Sequence, residues 1–179
     1  YNIGGMIGAL CGEQTLTMNG NKCDVEIQYS EGSDSGNIGG MAGAISGGYN
    51  NPTPVTMNSN TLDCSISTPN WGGAMIGSVV GKLSGLDKSL TTVSCSSNTL
   101  RGSGITFKEG NKTVGLLVGW ALGDGGNANI GPKWNDIVLY KVDNPLSIGA
   151  SGWTINSTSF KQPTNVIGST TTPKDLNNA

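Results

Sequence analysis

Two short sequence elements recur along the chain in the same order, and this repetition constrains the fold more than any other feature. The first element is rich in glycine and is found at residues 2–12, 37–47, 70–81 and, in degenerate form, 113–123. Its alignment predicts equivalent positions for four structural glycines, Gly4, Gly39, Gly72 and Gly115. A repeat of this length cannot bury an apolar face alone, so neighbouring units must stack.

The second element follows each of the first three copies of the first element, and an asparagine occupies the same position in all three. Asn21, Asn60 and Asn98 are 39 and 38 residues apart. In the copy at residues 55–63, apolar and polar side chains alternate, which is typical of a half-buried strand that ends in an Asn-rich turn.

The first element fits two conformations. Gly4, Gly8 and Gly12 have helical spacing and a small-xxx-small pattern like that of packed helices. Glycine, however, costs a helix about 1 kcal/mol per residue. The Gly-Gly pairs and β-branched neighbours instead suit a strand pressed against neighbouring backbone. We therefore predict an all-β chain, a stacked repeat of β-solenoid or β-helix type, with C-terminal capping strands.

The domain organisation follows from where the repeats fade. We predict Gly-rich repeats over residues 1–129. Residues 130–168 contain two alternating apolar runs and predict capping strands, and residues 169–179 have the composition of a linker. The repeat units are expected at about residues 2–36, 37–69, 70–112 and 113–129.

The Gly-rich cores at residues 4–8, 39–43 and 115–119, each on a repeat whose strands are rich in Asn and hydroxyl groups, resemble the GLUG repeats of secreted and surface proteins. The resemblance covers residues 2–123; a Met at the Leu position and the additional Ala74 depart from the pattern. It implies a stacked β architecture outside the cell and no catalytic residue.

Composition excludes several functions. Only 12% of residues are charged, the net charge is −2, and no basic cluster predicts nucleic-acid binding. No apolar run is long enough to predict a transmembrane segment. The chain has no His, which excludes Ser-His-Asp and Cys-His sites, and its acidic residues form no repeated pair. We predict no enzyme, no cofactor and no metal site.

Four cysteines, Cys11, Cys23, Cys64 and Cys95, make an even count without CxxC spacing. In a secreted chain this is consistent with two disulfides, and we predict Cys11–Cys23 and Cys64–Cys95 because each pair joins neighbouring elements. The alternative is four small buried hydrophobic residues.

Two sequons, at Asn111 and Asn156, are N-glycosylation acceptors if the chain passes a secretory pathway, although a chain rich in Asn and Thr also produces such triplets by chance.

The sequence favours a non-catalytic, secreted or cell-surface structural or adhesive protein that self-associates head to tail or stacks on neighbouring like domains, as in a surface filament. In such an assembly the tail, residues 160–179, covers the open first repeat of a neighbour. One alternative is a carbohydrate-binding module that binds glycans on an aromatic platform, for which Trp134 and Trp153 are the candidates. Another is an ice-binding β-solenoid, which needs a Thr-x-Thr ladder; only residues 15–17 supply one.

Overall fold

All regular secondary structure in the described residues is β-strand. The computed structural model describes residues 1–12, 15–30, 36–47, 53–84, 91–111, 113–122, 133–134, 137–138, 153–155 and 167–170. The strands are β1 (Asn2–Gly4), β2 (Ile7–Gly12), β3 (Leu16–Asn19), β4 (Lys22–Gln28), β5 (Gly36–Gly39), β6 (Ala42–Gly47), β7 (Thr53–Asn58), β8 (Thr61–Thr68), β9 (Ala74–Gly77), β10 (Val80–Ser84), β11 (Thr91–Ser96), β12 (Asn98–Phe107), β13 (Val114–Gly115), β14 (Val118–Leu122), β15 (Lys133–Trp134), β16 (Ile137–Val138), β17 (Trp153–Ile155) and β18 (Ile167–Thr170).

The strands stack in four sheets. From β1 to β15, strands four apart along the chain pair in parallel, and β18 pairs with β14 in the same way. Sheet A has the order β1-β5-β9-β13, and sheet B has the order β18-β14-β10-β6-β2. Sheet C has the order β16-β15-β11-β7-β3, and sheet D has the order β17-β12-β8-β4. We call each set of four consecutive strands a rung: rung 1 is β1–β4, rung 2 is β5–β8 and rung 3 is β9–β12. The prediction of an all-β fold with stacked strands is confirmed, and the arrangement is compatible with a β-solenoid.

The core is one cluster between the four sheets. In β8 every second residue is buried, as expected where side chains alternate between core and solvent. Each sheet contributes to the cluster, for example Ile38 from sheet A, Ile45 from sheet B, Met57 from sheet C and Leu62 from sheet D. Because the same positions of successive rungs lie above one another, the core is a continuous column rather than a set of separate clusters.

Sheets A and B approach each other so closely that glycine is required where they meet. A Cβ atom on Gly39 would lie 2.0 Å from the carbonyl oxygen of Ala42 and 2.8 Å from the amide nitrogen of Gly81. Gly43 faces the backbone of Ile3 at 2.7 Å in the same way. The prediction of a strand pressed against neighbouring backbone is therefore confirmed. The four-residue glycine spacing arises from a tight turn between two strands, not from one face of a helix.

The register corrects one of the four predicted structural glycines. Gly4 pairs with Gly39, Gly39 with Gly77, and the next rung brings Gly115 against Gly77, so the third position belongs to Gly77 and the prediction of Gly72 is wrong. Residues 70–73 imitate the Gly-rich motif, but they lie in the turn before β9.

The register also changes the position in the repeat that belongs to Trp71. The sequence alignment puts it in the position of Ile3 and Ile38, but Ile76 pairs with Ile38 instead. Trp71 is nevertheless buried, from its position in the turn before β9.

The C-terminal strands are less regular than the three rungs. β16 pairs antiparallel with β15 and ends sheet C, whereas β17 and β18 extend sheets D and B in parallel. β18 lies on β14 of the same chain and crosses the boundary predicted between residues 168 and 169, so this part of the tail is used within the chain. None of the described residues forms a helix that could cross a membrane.

The corrected register predicts a large loss of stability for one glycine substitution and almost none for another. Gly77→Ala places a Cβ atom 2.2 Å from the carbonyl oxygen of Val80, and we expect it to lower the free energy of unfolding by about 3 kcal/mol. Gly72→Ala meets only the Lys108 side chain, at 3.4 Å, and we expect a change within about 0.5 kcal/mol. Urea denaturation followed by circular dichroism measures both, and equal losses would contradict the register.

Candidate functional site: polar ladders and the first rung

A ladder of buried asparagines joins the rungs at the corner between sheets C and D. The backbone N–H and the Nδ2 group of Asn21 donate to Oδ1 of Asn60, at 3.0 and 2.9 Å. The same two groups of Asn60 donate to Oδ1 of Asn98, both at 2.9 Å. The predicted equivalence of these three asparagines is thus a physical contact, and each rung is hydrogen-bonded to the next through side chains as well as strands.

The ladder also supports the corner itself. Nδ2 of Asn60 donates to the carbonyl of Met18 at 2.8 Å, and Nδ2 of Asn98 donates to that of Met57 at 2.7 Å. The residues just before these asparagines, Ser59 and Ser97, have φ values of 57° and 56°. Such a conformation costs a residue with a Cβ atom about 1–2 kcal/mol. The buried amides hold this strained turn in place.

Other polar columns run along the outer surface. The N–H of Asn58 donates to Oδ1 of Asn19 at 3.0 Å, and Oγ of Ser96 donates to Oδ1 of Asn58 at 2.8 Å. Similar contacts join one Asn pair and two Ser pairs: Asn2 and Asn37 at 2.6 Å, Ser46 and Ser84 at 2.9 Å, and Ser65 and Ser103 at 2.7 Å. The surface between the rungs is therefore neutral and hydrogen-bonded, with one exposed ion pair, Arg101–Asp63, among the described residues.

Rung 1 differs from the rungs above it because it has no strand on its outer side within the described residues. β1, β2, β3 and β4 each end their sheet. Six residues that point toward the core from this rung are only half-buried, whereas their partners in rung 2 are fully buried; they are Ile3, Ile7, Leu10, Leu16, Cys23 and Ile27. Met18 and Val25 are the buried core residues of this rung. Tyr1 and Met6 are 77% and 41% exposed.

The Asn ladder is also open at this end. Oδ1 of Asn60 and of Asn98 each accept two hydrogen bonds from the rung before. Oδ1 of Asn21 accepts none from the described residues. Among the described residues, the first rung thus presents strand edges without a partner strand, part of the apolar core and a ladder acceptor without a donor on one surface.

The described residues contain no group of three or more His, Cys, Asp or Glu side chains that could hold a metal ion. The charged side chains of Asp63 and Arg101 pair with each other at 3.0 Å on the surface, where such an ion pair contributes little. No arrangement of nucleophile, base and oxyanion donors is formed by the residues described above.

The cysteines do not form the predicted disulfides; none of the four is bonded to another cysteine. Cys11 lies on sheet B and Cys23 on sheet D, while Cys64 on sheet D and Cys95 on sheet C belong to different rungs, so strand pairing separates the predicted partners. Cys64 and Cys95 are buried in the core, which agrees with the alternative prediction of small buried hydrophobic residues.

Burial also alters the chemistry of these thiols. It raises the pKa of Cys64 to about 12 and the pKa of Cys95 to about 12. Burial, with a smaller contribution from the Asp24 carboxylate, also raises the pKa of Cys23. The two core thiols are therefore poor nucleophiles at neutral pH.

The structure describes the asparagine of one of the two sequons. Asn111 is buried, and its Nδ2 donates to the carbonyls of Trp71 at 3.3 Å and Ala74 at 3.0 Å. The folded chain therefore does not present this amide for glycosylation. Asn156 lies outside the described residues.

The tryptophans predicted as an aromatic platform do not form one among the described side chains. Trp153 is fully buried on β17, where it pairs with Asn98 at the end of the ladder. Trp134 lies on β15, and its side chain is outside the described part. Trp120 is half-buried, with Nζ of Lys82 at 5.6 Å from its ring centroid.

The sequence analysis missed a cleft at the end of rung 1. It has a volume of about 350 Å³ and is lined by Gln28, Tyr29, Ser30, Ser67 and Pro69. The available signal was an aromatic residue followed by a hydroxyl residue at the end of a strand pattern, which does not by itself indicate a cleft.

We expect Asn60→Ala to be more damaging than Asn19→Ala. The first variant leaves buried backbone groups of Asn21 and Met18 without partners, which costs about 2–4 kcal/mol of unfolding free energy. The second removes one acceptor from an exposed contact and costs about 1 kcal/mol or less. Urea denaturation measures both losses; a smaller loss for Asn60→Ala would show that the ladder is not a principal support.

We expect a thiol reagent at neutral pH to label the native chain at Cys11 and, more slowly, at Cys23. Cys64 and Cys95 should react only after unfolding, because their thiols are buried and protonated. Mass spectrometry of labelled peptides, without reductant, identifies the sites.

Because the folded-state pKa of Cys64 and Cys95 exceeds the ordinary 9.0, their contribution to stability is complete below pH 9 and declines between pH 9 and about 12.

Comparisons of the chain with protein-family models, with curated proteins and with solved structures give no match. The resemblance of residues 2–123 to GLUG repeats therefore rests on the repeated motif itself.

Proposed function

We propose that the chain is a β-solenoid segment, closed by C-terminal capping strands, of a non-catalytic structural or adhesive protein outside the cell. The observation that carries this proposal is the surface of rung 1. It offers unpaired strand edges together with half-buried core residues, a combination that invites pairing with further strands.

The chemistry of this surface specifies its partner. A parallel strand added to each of β1–β4 satisfies their backbone groups, as rung 2 does on the other side. A hydrogen-bond donor in the ladder position of the added rung reaches Oδ1 of Asn21, and apolar residues cover Leu16 and Ile27. The partner is thus a rung of the same kind, from another copy of this chain or from a neighbouring like domain. A contact of this head-to-tail type repeats from copy to copy and produces a filament unless its rotation closes a ring.

The extracellular location rests on composition and on the GLUG resemblance. A surface of low charge with columns of Asn, Ser and Thr, and no catalytic arrangement among the described residues, suits a structural role. The cysteines do not support an oxidising compartment, because none of them is in a disulfide.

The other two candidate functions differ in their support. The cleft at Tyr29 favours carbohydrate binding, because an aromatic residue and neutral polar residues line it. Ice binding needs two adjacent Thr columns, but on sheet C the column beside Thr17 and Thr56 is formed by Asn19 and Asn58, which bond to each other. We do not propose an ice-binding face.

We expect Leu16→Glu to abolish self-association and Thr17→Glu to leave it unchanged. The two residues are neighbours on β3 and receive the same charge, but Leu16 packs against the core at the rung 1 surface while Thr17 is exposed. Light scattering at micromolar concentration should show assemblies for the unchanged chain and for Thr17→Glu, and a monomer for Leu16→Glu.

Circular dichroism of Leu16→Glu establishes that this monomer is folded. If the unchanged chain is monomeric over the whole concentration range, or if Leu16→Glu assembles equally well, rung 1 is not an assembly surface.

A further inference from the structure

The cleft at the end of β4 and β8 has the size of a small-ligand site. Its volume of about 350 Å³ lies within the range of about 300–1,000 Å³ found for such sites. Gln28, Tyr29 and Ser30 line it from rung 1, and Ser67 and Pro69 line it from rung 2. The backbone N–H of Tyr29 donates to the carbonyl of Ser67 at 2.9 Å, so the two walls are joined directly.

The aromatic wall is held in place from behind. The ring of Tyr29 packs on the ring of Trp71, with centroids 4.7 Å apart and an angle of 33° between the planes. Trp71 is itself buried and fills the space beside Gly36, where a Cβ atom would lie 2.0 Å from its Cη2 atom. Trp71 therefore has little freedom to move, and Tyr29 is a half-buried ring on a rigid support.

The polar groups around the ring are neutral. Besides Tyr29, the polar lining residues are Ser30, Ser67 and Gln28, and no Lys, Arg, Asp or Glu is among the lining residues. Glu26, two residues before Gln28, accepts a hydrogen bond from Nε2 of Gln28 and so orients that amide. Such a lining offers both donors and acceptors but no charge to balance a phosphate or a carboxylate.

We propose that this cleft is a carbohydrate subsite that takes one neutral pyranose ring. The apolar C–H face of the sugar packs on Tyr29, and its hydroxyl groups bond to Gln28, Ser30 and Ser67. An aromatic body beside a few fixed polar groups is the combination that such a ligand requires. The inference rests on the adhesive part of the proposed function but not on rung stacking.

Saturation-transfer NMR with the methyl β-glycosides of glucose, galactose and N-acetylglucosamine, each at millimolar concentration, tests the subsite. We expect at least one of them to bind. Tyr29→Ala should weaken binding about tenfold or more, because the stacking surface is lost. Tyr29→Phe, which keeps the ring, should stay within about threefold of the unchanged chain.

Phe107→Ala is the matched control. Phe107 occupies the column of Tyr29 two rungs away and lies outside the cleft, so its loss should leave binding unchanged. Gln28→Ala tests the polar wall without disturbing the core, since Gln28 is exposed, and should weaken binding severalfold even if Tyr29→Ala loosens the fold.

Failure to bind any of the three neutral glycosides overturns the proposal. It is also overturned if binding survives both Tyr29→Ala and Gln28→Ala unchanged, or if only glucuronate, an anionic sugar, binds. Leu16→Glu, which blocks rung stacking, should leave glycoside binding intact, so loss of assembly and loss of sugar binding are separate outcomes.

Discussion

The contact between glycine backbones of sheets A and B sets the geometry on which the other rungs and columns depend. Gly39 meets the backbone of Gly81, and Gly43 meets that of Ile3, at distances that exclude any side chain. Because two sheets touch without side chains between them at this corner, the chain turns sharply within two residues and its next strand starts at a defined place. Every following position of the rung then lies above its counterpart, and the core becomes a continuous column of apolar side chains.

The Asn ladder secures the register that the glycines establish. A shift by one residue would turn the inward side chains of β7 and β8 outward, and it would also leave Asn60 and its carbonyl partner unpaired in the core. Both penalties act in the same direction, so the apolar alternation and the buried amides favour one alignment. The strained turns at Ser59 and Ser97 are tolerated because those amides hold the residues that follow them.

Stacking by identical contacts leaves a rung surface that resembles the interior of the stack. On rung 1 this surface combines strand edges, the half-buried Leu16 and the open acceptor of Asn21. The C-terminal strands are built differently, since antiparallel β16 ends sheet C and Trp153 lies fully buried beside Asn98. Growth from one end, together with a sugar subsite on the side of the stack, would give an adhesive filament with a ligand site on every copy.

The sequence by itself determined the repeat, the all-β class and the equivalence of Asn21, Asn60 and Asn98, because these depend on periodic patterns that any stacked arrangement must preserve. Gly72 and the cysteines show where patterns fail. A turn can imitate a strand motif, and only backbone pairing selects Gly77 over Gly72. Likewise, an even number of cysteines does not indicate on which sheet each cysteine lies.

Only the tertiary structure decided that Asn111 is buried and that Tyr29 lines a cleft on a Trp71 support. The partners of these side chains come from other rungs. Burial and cleft shape depend on which distant residues the register brings together, and no local pattern records that.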